Sequence, residues 1–272
     1  MVQYPERYER GEKMIANYHT HTYRCHHATG TERKYIEIAV KNGIKYMGFS
    51  DHAPFAFPDG SESPYRIYMA DRFSYVDFIS KLRDEYSDRI DIKIGYEMEY
   101  FPLYFKDMLK IAIESGAEYL ILGQHAIRST YSKDTFSSMC GDSVEKLEAY
   151  VDEVCEGIRT GAFSYVAHPD LIGFTGDRNI YLQKMRRICE TAKECNIPLE
   201  INFLGIREGR IYPAPDFWEM VGEVGCEVVY GIDSHSDKSA YDGESLRVAE
   251  EMREKYGLRV LEIPRIIDIR KP

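Results

Sequence analysis

The sequence contains no run of about eighteen consecutive apolar residues, the length that a membrane-spanning helix requires. Its first fourteen residues, MVQYPERYERGEKM, are charged and have no apolar centre, so they are not expected to act as a secretory signal. The six cysteines are scattered and include no C-x-x-C pair, which is typical of reduced thiols rather than of a disulfide framework. These absences predict a cytoplasmic protein that makes no membrane contact.

The sequence also lacks any excess or stripe of positive charge. It has 45 acidic and 35 basic residues, which gives a formal net charge of -10 and a pI of about 5.4. A negative field repels the phosphate backbone of nucleic acids. We therefore expect no long nucleic-acid partner, although metal ions and a few arginines can reverse the field around one small phosphate.

No composition shift, low-complexity tract or sequence repeat divides the chain. We therefore expect a single domain over residues 1–272, a length that α/β barrels often reach. What recurs is a short apolar run, a polar or glycine-rich corner and an amphipathic helix. Seven such runs predict strands near residues 14–18, 46–49, 92–95, 119–122, 164–167, 198–201 and 228–232. Residues 259–263 form either an eighth short strand or a tail.

Helix signals lie between several of these runs. An amphipathic helix is predicted from Thr31 to about Gly43, and further helices over residues 73–86 and 245–256. Asp142, followed three residues later by Glu145, resembles a capping box at the start of another helix.

Strands that alternate with helices pair in parallel. Residues that could bind a ligand follow nearly every predicted strand, and only a closed barrel brings so many strand ends to one mouth. An open doubly wound sheet, the alternative, usually gathers its site at one switch point. We therefore expect an α/β fold with a distorted seven-stranded (β/α)7 barrel, similar to a TIM barrel.

Histidines and carboxylates accumulate at the C-terminal ends of these strands. A single histidine on a strand is more often structural than a ligand, but here the pattern repeats on most strands. His19 and His21 are two residues apart and point to the same face of a strand, as do Asp233 and His235. Borderline divalent metals bind imidazole and carboxylate together, and one carboxylate can bridge two ions. The candidate metal ligands are His19, His21, His27, His52, Glu97, His125, His168, Asp233 and His235.

The order of these motifs resembles that of the polymerase and histidinol phosphatase (PHP) superfamily of metal-dependent phosphoesterases. The matching motifs are HTHT at residues 19–22, GYE at 95–97, HP at 168–169 and DSH at 233–235. CHH at 25–27, FSDHAP at 49–54 and NFLGIR at 202–207 are more narrowly similar to the histidinol-phosphate phosphatase branch. Two positions depart from that branch: Asp51 stands where many relatives carry glutamate, and Ala126 follows His125 where an aromatic residue is expected.

The resemblance implies a cluster of two or three divalent ions of zinc, manganese or iron. One ion would be bound by His19, His21, Glu97 and Asp233, a second by Glu97, His125 and His168, and a third by His27, His52 and His235. His26 is left over and is expected to be a surface or neighbouring group.

The chemistry expected of such a cluster begins with water. Two ions that share Glu97 can lower the pKa of a shared water towards neutrality, and the resulting hydroxide would attack phosphorus. Glu97, as the bridge, and Asp233 and His235, as candidate proton carriers, are therefore the predicted catalytic residues.

Two arginines are candidates for binding the substrate. Arg207 offers a forked guanidinium suited to phosphate, although a solvated arginine beside Glu208 is an equal alternative. Arg128, three residues after His125, is the second candidate. The aromatic loop over residues 55–68 either covers the site or packs on itself. Asp170 either orients a ligand imidazole or caps a turn.

We therefore expect a metal-dependent phosphatase that acts on a small phosphorylated substrate, in the first place L-histidinol phosphate of histidine biosynthesis. The alternatives are a phosphodiesterase or exonuclease of the same superfamily and a metallohydrolase of C–N bonds. A barrel that serves only as a scaffold is a further alternative, but a scaffold has no need for nine ligand positions.

Overall fold

In the described part of the chain, eight strands alternate with helices and pair in parallel, each with the next one in sequence. The computed structural model describes residues 14–132 and 134–271. The N-terminal segment that is predicted not to act as a signal therefore lies almost wholly outside the described residues. The strands are β1 (Ala16–Asn17), β2 (Tyr46–His52), β3 (Asp91–Met98), β4 (Tyr119–Leu122), β5 (Phe163–Val166), β6 (Leu199–Asn202), β7 (Glu227–Gly231) and β8 (Arg259–Val260).

The predicted number of seven strands is wrong, because the C-terminal segment adds an eighth. β8 is two residues long, and Arg259 and Val260 pair in parallel with Glu227 and Val228 at the start of β7. So short a strand has no alternating pattern of its own. The sequence left open whether residues 259–263 form a strand or a tail, and the pairing with β7 shows that the segment contains a strand.

The sheet curls until the residues that follow β1 meet those that follow β7. Thr20 and Ser234 form a parallel bridge. The backbone N–H of His21 donates to the carbonyl of Ser234 at 3.0 Å, and that of Asp233 donates to the carbonyl of His19 at 3.0 Å. This arrangement is of the TIM-barrel type, and it places the carboxyl ends of β1 and β7 side by side.

Eight α-helices within residues 14–132 and 134–271 connect or follow the strands. They are α1 (Glu32–Lys41), α2 (Arg72–Glu85), α3 (Phe105–Ser115), α4 (Val144–Arg159), α5 (Arg178–Cys195), α6 (Phe203–Glu208), α7 (Pro215–Val224) and α8 (Gly243–Tyr256). The helix predicted from Thr31 is α1, and Thr31 is its N-terminal cap. The start of α4 differs from the prediction, because Ser143 and not Asp142 is its cap: the Ser143 side chain accepts from the backbone N–H of Lys146. Among the described residues, no helix has both the length and the apolar character needed to cross a membrane.

A small aromatic core lies among the strands and is separate from the larger core that includes residues of the helices. Tyr18, Tyr119 and Tyr165 are its large members. The Tyr119 hydroxyl donates to the carbonyl of Tyr18 at 2.8 Å. Gly48 on β2 leaves the space that this hydroxyl occupies, since a Cβ there would overlap it.

Candidate metal centre

The curled sheet brings the predicted ligands of separate strands together. His19 and His21 follow β1, His52 ends β2 and Glu97 lies near the end of β3. His125, His168 and the Asp233–His235 segment follow β4, β5 and β7. Of the nine predicted ligands, all except His27, His125 and His235 are buried. The mouth of the barrel is therefore lined by one continuous group of imidazoles and carboxylates.

Glu97 lies at the centre of this group, and its two oxygens face different histidines. Its Oε2 lies 3.1 Å from His52 Nδ1, 3.4 Å from His21 Nε2 and 3.5 Å from His19 Nε2. Its Oε1 lies 2.8 Å from His168 Nε2 and 3.3 Å from His125 Nε2. Gly123, directly after β4, makes room for this carboxylate, because a Cβ there would overlap Oε1. One carboxylate can thus serve two neighbouring ligand sets.

Asp233 supplies a second carboxylate next to His19 and His21. Its Oδ1 lies 3.2 Å from His21 Nε2, 3.6 Å from His19 Nε2 and 3.3 Å from His235 Nδ1. Asn202 donates to the other oxygen, Oδ2, at 3.0 Å. The backbone of Asp233 has a φ of 48°, a left-handed conformation that is uncommon outside glycine and is often found at functional sites.

Two buried oxygens at this centre make no hydrogen bond within the part of the chain that the structure describes: Glu97 Oε2 and Asp233 Oδ1. A buried carboxylate oxygen without a donor is costly unless a cation satisfies it. The Nε2 atoms of His19 and His21 are 3.2 Å apart, and each lies 3.2–3.6 Å from Glu97 Oε2 and from Asp233 Oδ1. Tetrahedral zinc with bonds of about 2.0–2.1 Å has ligand atoms about 3.4 Å apart. This donor set therefore fits a divalent metal ion.

A third group of imidazoles lies towards solvent. His235 Nε2 is 3.1 Å from His27 Nε2, and the rings of His27 and His52 are 5.2 Å apart. His52 and His235 also converge with His21 as possible ligands of one ion. Cys25, which the sequence analysis treated only as part of a motif, can join His27 and His235 in the same way.

Carboxylates that the sequence analysis did not single out as site residues hold the imidazoles in place. Glu200 on β6 pairs with His19 Nδ1 at 2.7 Å and also accepts from the backbone N–H of His168 at 3.0 Å. Asp51 pairs with His21 Nδ1 at 3.3 Å, and Glu99 pairs with His125 Nδ1 at 3.1 Å. When Nδ1 carries the proton, the Nε2 lone pair faces the centre, which is the tautomer a ligand needs. An acidic residue inside an apolar strand run is the signal that could have identified Glu200.

The electrostatics keep the two central carboxylates ionised. Burial opposes the charge of Glu97, but His125 and His19 outweigh it and hold the pKa of Glu97 well below its usual range. Burial likewise opposes the charge of Asp233, and His19 and His21 outweigh it, so that its pKa is also well below the usual range. In the outer group, burial and the neighbouring His235 lower the pKa of His27 to about 4. A neutral imidazole and an ionised carboxylate are the forms that bind metal.

A cleft of about 840 Å³ opens above the cluster. This volume is within the range of roughly 300–1,000 Å³ that small-molecule sites occupy. Its lining combines the metal-site residues with polar and apolar side chains. Besides seven of the predicted ligands, these include Ser63, Tyr65, Arg66, Tyr131, Phe136, Ser138, Leu171, Leu204, Glu208, Arg210, Ile211 and Tyr212.

The two predicted substrate arginines lie in different surroundings. Arg207 donates to Asp242 at 2.8 Å and to the carbonyl of Asp233 at 3.4 Å, and it lines a smaller pocket that adjoins His235. Arg128 instead pairs with Glu145 at 2.8 Å, its side chain is 45% exposed, and it does not line the cleft. The structure therefore does not bring Arg128 to the centre.

The remaining candidates divide between the site and its supports. Asp170 accepts from the backbone N–H of Ala214 at 2.6 Å, a contact 44 positions along the chain that matches neither the imidazole-orienting nor the turn-capping alternative. In the loop over residues 55–68, Tyr65 lines the cleft, whereas the Phe55 ring packs against Tyr104. His26 is exposed, with its ring near that of Tyr68.

Fold and ligand cluster together define a class: parallel α/β proteins of the barrel type with a candidate metal centre at the carboxyl ends of their strands. The family model of the PHP domain matches residues 17–203. The chain belongs to the PHP domain family.

Several known proteins are similar over most of their length. A probable histidinol-phosphatase of Deinococcus radiodurans is 25% identical over 233 residues, which cover 81% of this chain and 86% of that protein. The histidinol-phosphatase of Bacillus subtilis is 26% identical over 247 residues, with coverages of 80% and 92%. The crystal structure of histidinol phosphate phosphatase from Lactococcus lactis, complexed with zinc, L-histidinol and phosphate, has a TM-score of 0.71 at 20% identity, with coverages of 95% and 98%. This last likeness shows a shared fold.

Proposed function

We propose that this chain is a metal-dependent phosphatase that hydrolyses L-histidinol phosphate to L-histidinol and phosphate, a step of histidine biosynthesis. The observation that carries the proposal is the position of Glu97. Its two oxygens face separate histidine sets at the edge of a cleft large enough for a small phosphorylated molecule. The names of the similar proteins from D. radiodurans and B. subtilis support the choice of substrate.

Three ligand sets are assigned to two or three ions of zinc, manganese or iron. They are His19, His21, Glu97 and Asp233; Glu97, His125 and His168; and His27, His52 and His235. Bound divalent ions lower the pKa of water towards neutrality and neutralise charge on phosphoryl oxygens. Glu97 holds the first two sets together through its two oxygens. Glu200, Asp51 and Glu99 keep three of the imidazoles in the tautomer that presents Nε2.

Asp233 and His235 are the proposed proton carriers. Asp233 Oδ1 lies 3.3 Å from His235 Nδ1, and the His235 side chain is 20% exposed. Once displaced from a metal ion, Asp233 Oδ1 would have a short path through His235 to pass a proton to solvent. Arg207 is proposed to bind the substrate from the adjoining pocket, where Asp242 holds its guanidinium.

We further propose that residues 1–272 act as one domain in the cytoplasm, on a small substrate and without a long nucleic-acid partner. The net charge of -10 supports the last point, because it disfavours a phosphate backbone.

The test is phosphate release from L-histidinol phosphate by purified protein, before and after chelation and after return of zinc, manganese or iron. We expect chelation to abolish turnover and metal to restore it, with a preference over a generic phosphomonoester and over a phosphodiester. Glu97→Ala is expected to lower turnover by about a thousandfold or more, because it removes a ligand of two sets. Glu114→Ala, an exposed glutamate paired with Lys110 on α3, is the matched control and should retain activity.

The other outcomes separate the alternatives. Hydrolysis of a phosphodiester but not of L-histidinol phosphate would retain the metal centre and reject the substrate. Release of an amine from C–N substrates, with no phosphate released from any ester, would reject the phosphatase. Failure to bind any divalent metal would reject the centre itself.

A further inference from the structure

Arg66 is a buried arginine in the wall of the cleft, in the loop between β2 and α2. It is 4% exposed and lines the same cleft as His52 and His125. Its Nη2 donates to Glu99, and its guanidinium lies over the ring of Tyr131 at 4.3 Å from the centroid. A buried arginine is rare in proteins unless it is paired. Glu99 accounts for one edge of this guanidinium.

The other edge is unaccounted for. Arg66 Nη1 is buried and makes no hydrogen bond within residues 14–132 and 134–271. A buried donor that has lost its water and found no acceptor destabilises the folded protein. This free-energy cost is larger for a charged donor than for a neutral donor. An anionic ligand in the cleft would supply that acceptor.

The guanidinium is also held in one orientation relative to the metal centre. Glu99 accepts from the Tyr131 hydroxyl at 2.9 Å and pairs with His125 Nδ1 at 3.1 Å. The same carboxylate thus connects Arg66 to His125, whose Nε2 lies 3.3 Å from Glu97. Arg66 therefore needs no reordering to act beside the cluster, which lowers the entropic cost of binding.

We propose that Arg66 is a phosphate-binding residue, with Nη1 donating to a phosphoryl oxygen of the bound monoester and of the phosphate product. Guanidinium is suited to this role because its planar donors match the oxygens of a phosphoryl group. The inference rests on the proposed phosphatase function. It adds Arg66, in the wall of the cleft, to Arg207, which lines the adjoining pocket.

The test is the binding of inorganic phosphate to zinc-loaded protein, measured by calorimetry, with L-histidinol as a second ligand that lacks the phosphoryl group. Arg66→Gln is expected to weaken phosphate binding roughly 10- to 100-fold, the range of one lost charge-assisted hydrogen bond. Zinc content and L-histidinol affinity should stay at wild-type values. Arg33→Gln is the matched control, because Arg33 makes a similar pair with Glu85 and contacts Tyr86 on the surface, and it should bind phosphate normally.

A second variant covers the case in which Arg66→Gln fails to fold because Glu99 loses its partner. Arg66→Lys retains the positive charge beside Glu99 but has no second nitrogen to offer the cleft. It should bind zinc normally and phosphate at least about tenfold more weakly. Wild-type phosphate affinity in either folded, zinc-loaded variant would overturn the proposal, as would zinc-loaded wild-type protein that binds no phosphate. Arg66-dependent phosphate binding without turnover of L-histidinol phosphate would leave the inference standing and reject only that substrate.

Discussion

At the scale of single residues, the buried carboxylates of the mouth fall into two kinds. Glu97 and Asp233 each keep one oxygen without a hydrogen bond among the described residues. Glu200 uses its oxygens to accept from His19, Asn202 and a backbone N–H. A carboxylate with an open oxygen is available to a cation, whereas one whose oxygens are occupied can only position its neighbours. An unoccupied oxygen therefore distinguishes the carboxylates proposed to bind metal from those that only position a histidine, which residue type alone does not do.

Glu153 on α4 is a support of another kind, because it anchors the loop that carries His125. It accepts from the backbone N–H of Arg128 at 2.7 Å and from the side chain of Gln124 at 2.8 Å. Burial raises the pKa of Glu153 to about 7. Between about pH 5 and pH 7, Glu153 therefore keeps its proton in the folded protein, whereas an ordinary glutamate in the unfolded chain has already released it.

Stability should consequently depend on pH through Glu153. As pH rises from about 5 to about 8, the unfolded state releases this proton before the folded state does, so the free energy of unfolding falls. The loss can reach about 3 kcal/mol and is complete above the folded pKa. In Glu153→Gln this contribution is absent. Urea unfolding at several pH values should therefore show that the free energy of unfolding of the variant rises relative to that of the wild type as pH rises. Glu114→Gln should track wild type, and a pH-independent difference between Glu153→Gln and wild type would contradict the prediction.

At the scale of elements, neighbouring strands are shaped to admit the polar side chains of the site. Gly231 at the end of β7 leaves the space that the Glu200 carboxylate of β6 occupies, since a Cβ at position 231 would overlap it. Glu200 has little freedom to move away, because His19, the backbone of His168 and Asn202 all hold it. The pairing of β6 with β7 therefore also sets the orientation of a proposed metal ligand.

Gly231→Ala should accordingly damage both stability and metal binding. We expect a loss of roughly 1–3 kcal/mol in the free energy of unfolding, the usual cost of overpacking a buried site, together with weaker zinc binding in a chelator competition. Gly243→Ala at the start of α8 is the control, because a Cβ there meets only Tyr241 at 3.5 Å. Equal zinc affinity in Gly231→Ala and wild type would show that Glu200 does not position His19.

At the scale of the whole molecule, the sheet gathers like charges that a bound cation would compensate. The net charge is -10, and the carboxylates of Glu97 and Asp233 converge on the same two histidines at the mouth. These side chains come from segments far apart in sequence. A cation bound among them therefore links β1, β3 and β7 in the folded state only.

Removal of metal should for this reason lower the thermal stability of the whole domain. With free metal at about 100 to 1,000 times Kd, one site stabilises the fold by about 3–4 kcal/mol, so chelation should lower Tm by roughly 5–15 °C. Calorimetry before chelation, after it and after return of zinc measures the effect. Glu97→Ala should show no comparable response. A wild-type Tm that is indifferent to chelator would contradict the prediction.

Much of the fold was predictable because its signals are local. The fourth strand was predicted over residues 119–122 and lies there, and α1 begins directly after Thr31, where a helix was predicted to start. The errors have physical causes. Asp142 and Ser143 are both good capping residues, and only the backbone geometry chooses Ser143. The two-residue β8 exists only through its pairing with β7, and helices α3, α5, α6 and α7 were not identified.

The sequence by itself determined the alternation of strands and helices and the residue types at the strand ends, because side-chain periodicity and ligand chemistry are properties of short segments. Only the tertiary structure decided which other residues each of these side chains contacts. It placed Arg66 in the cleft wall and Arg128 beside Glu145 outside it, although both are arginines in loops after strands. It also set Glu200 behind His19, 181 positions away in sequence. Such contacts depend on how the whole sheet curls, and no local pattern encodes that curvature.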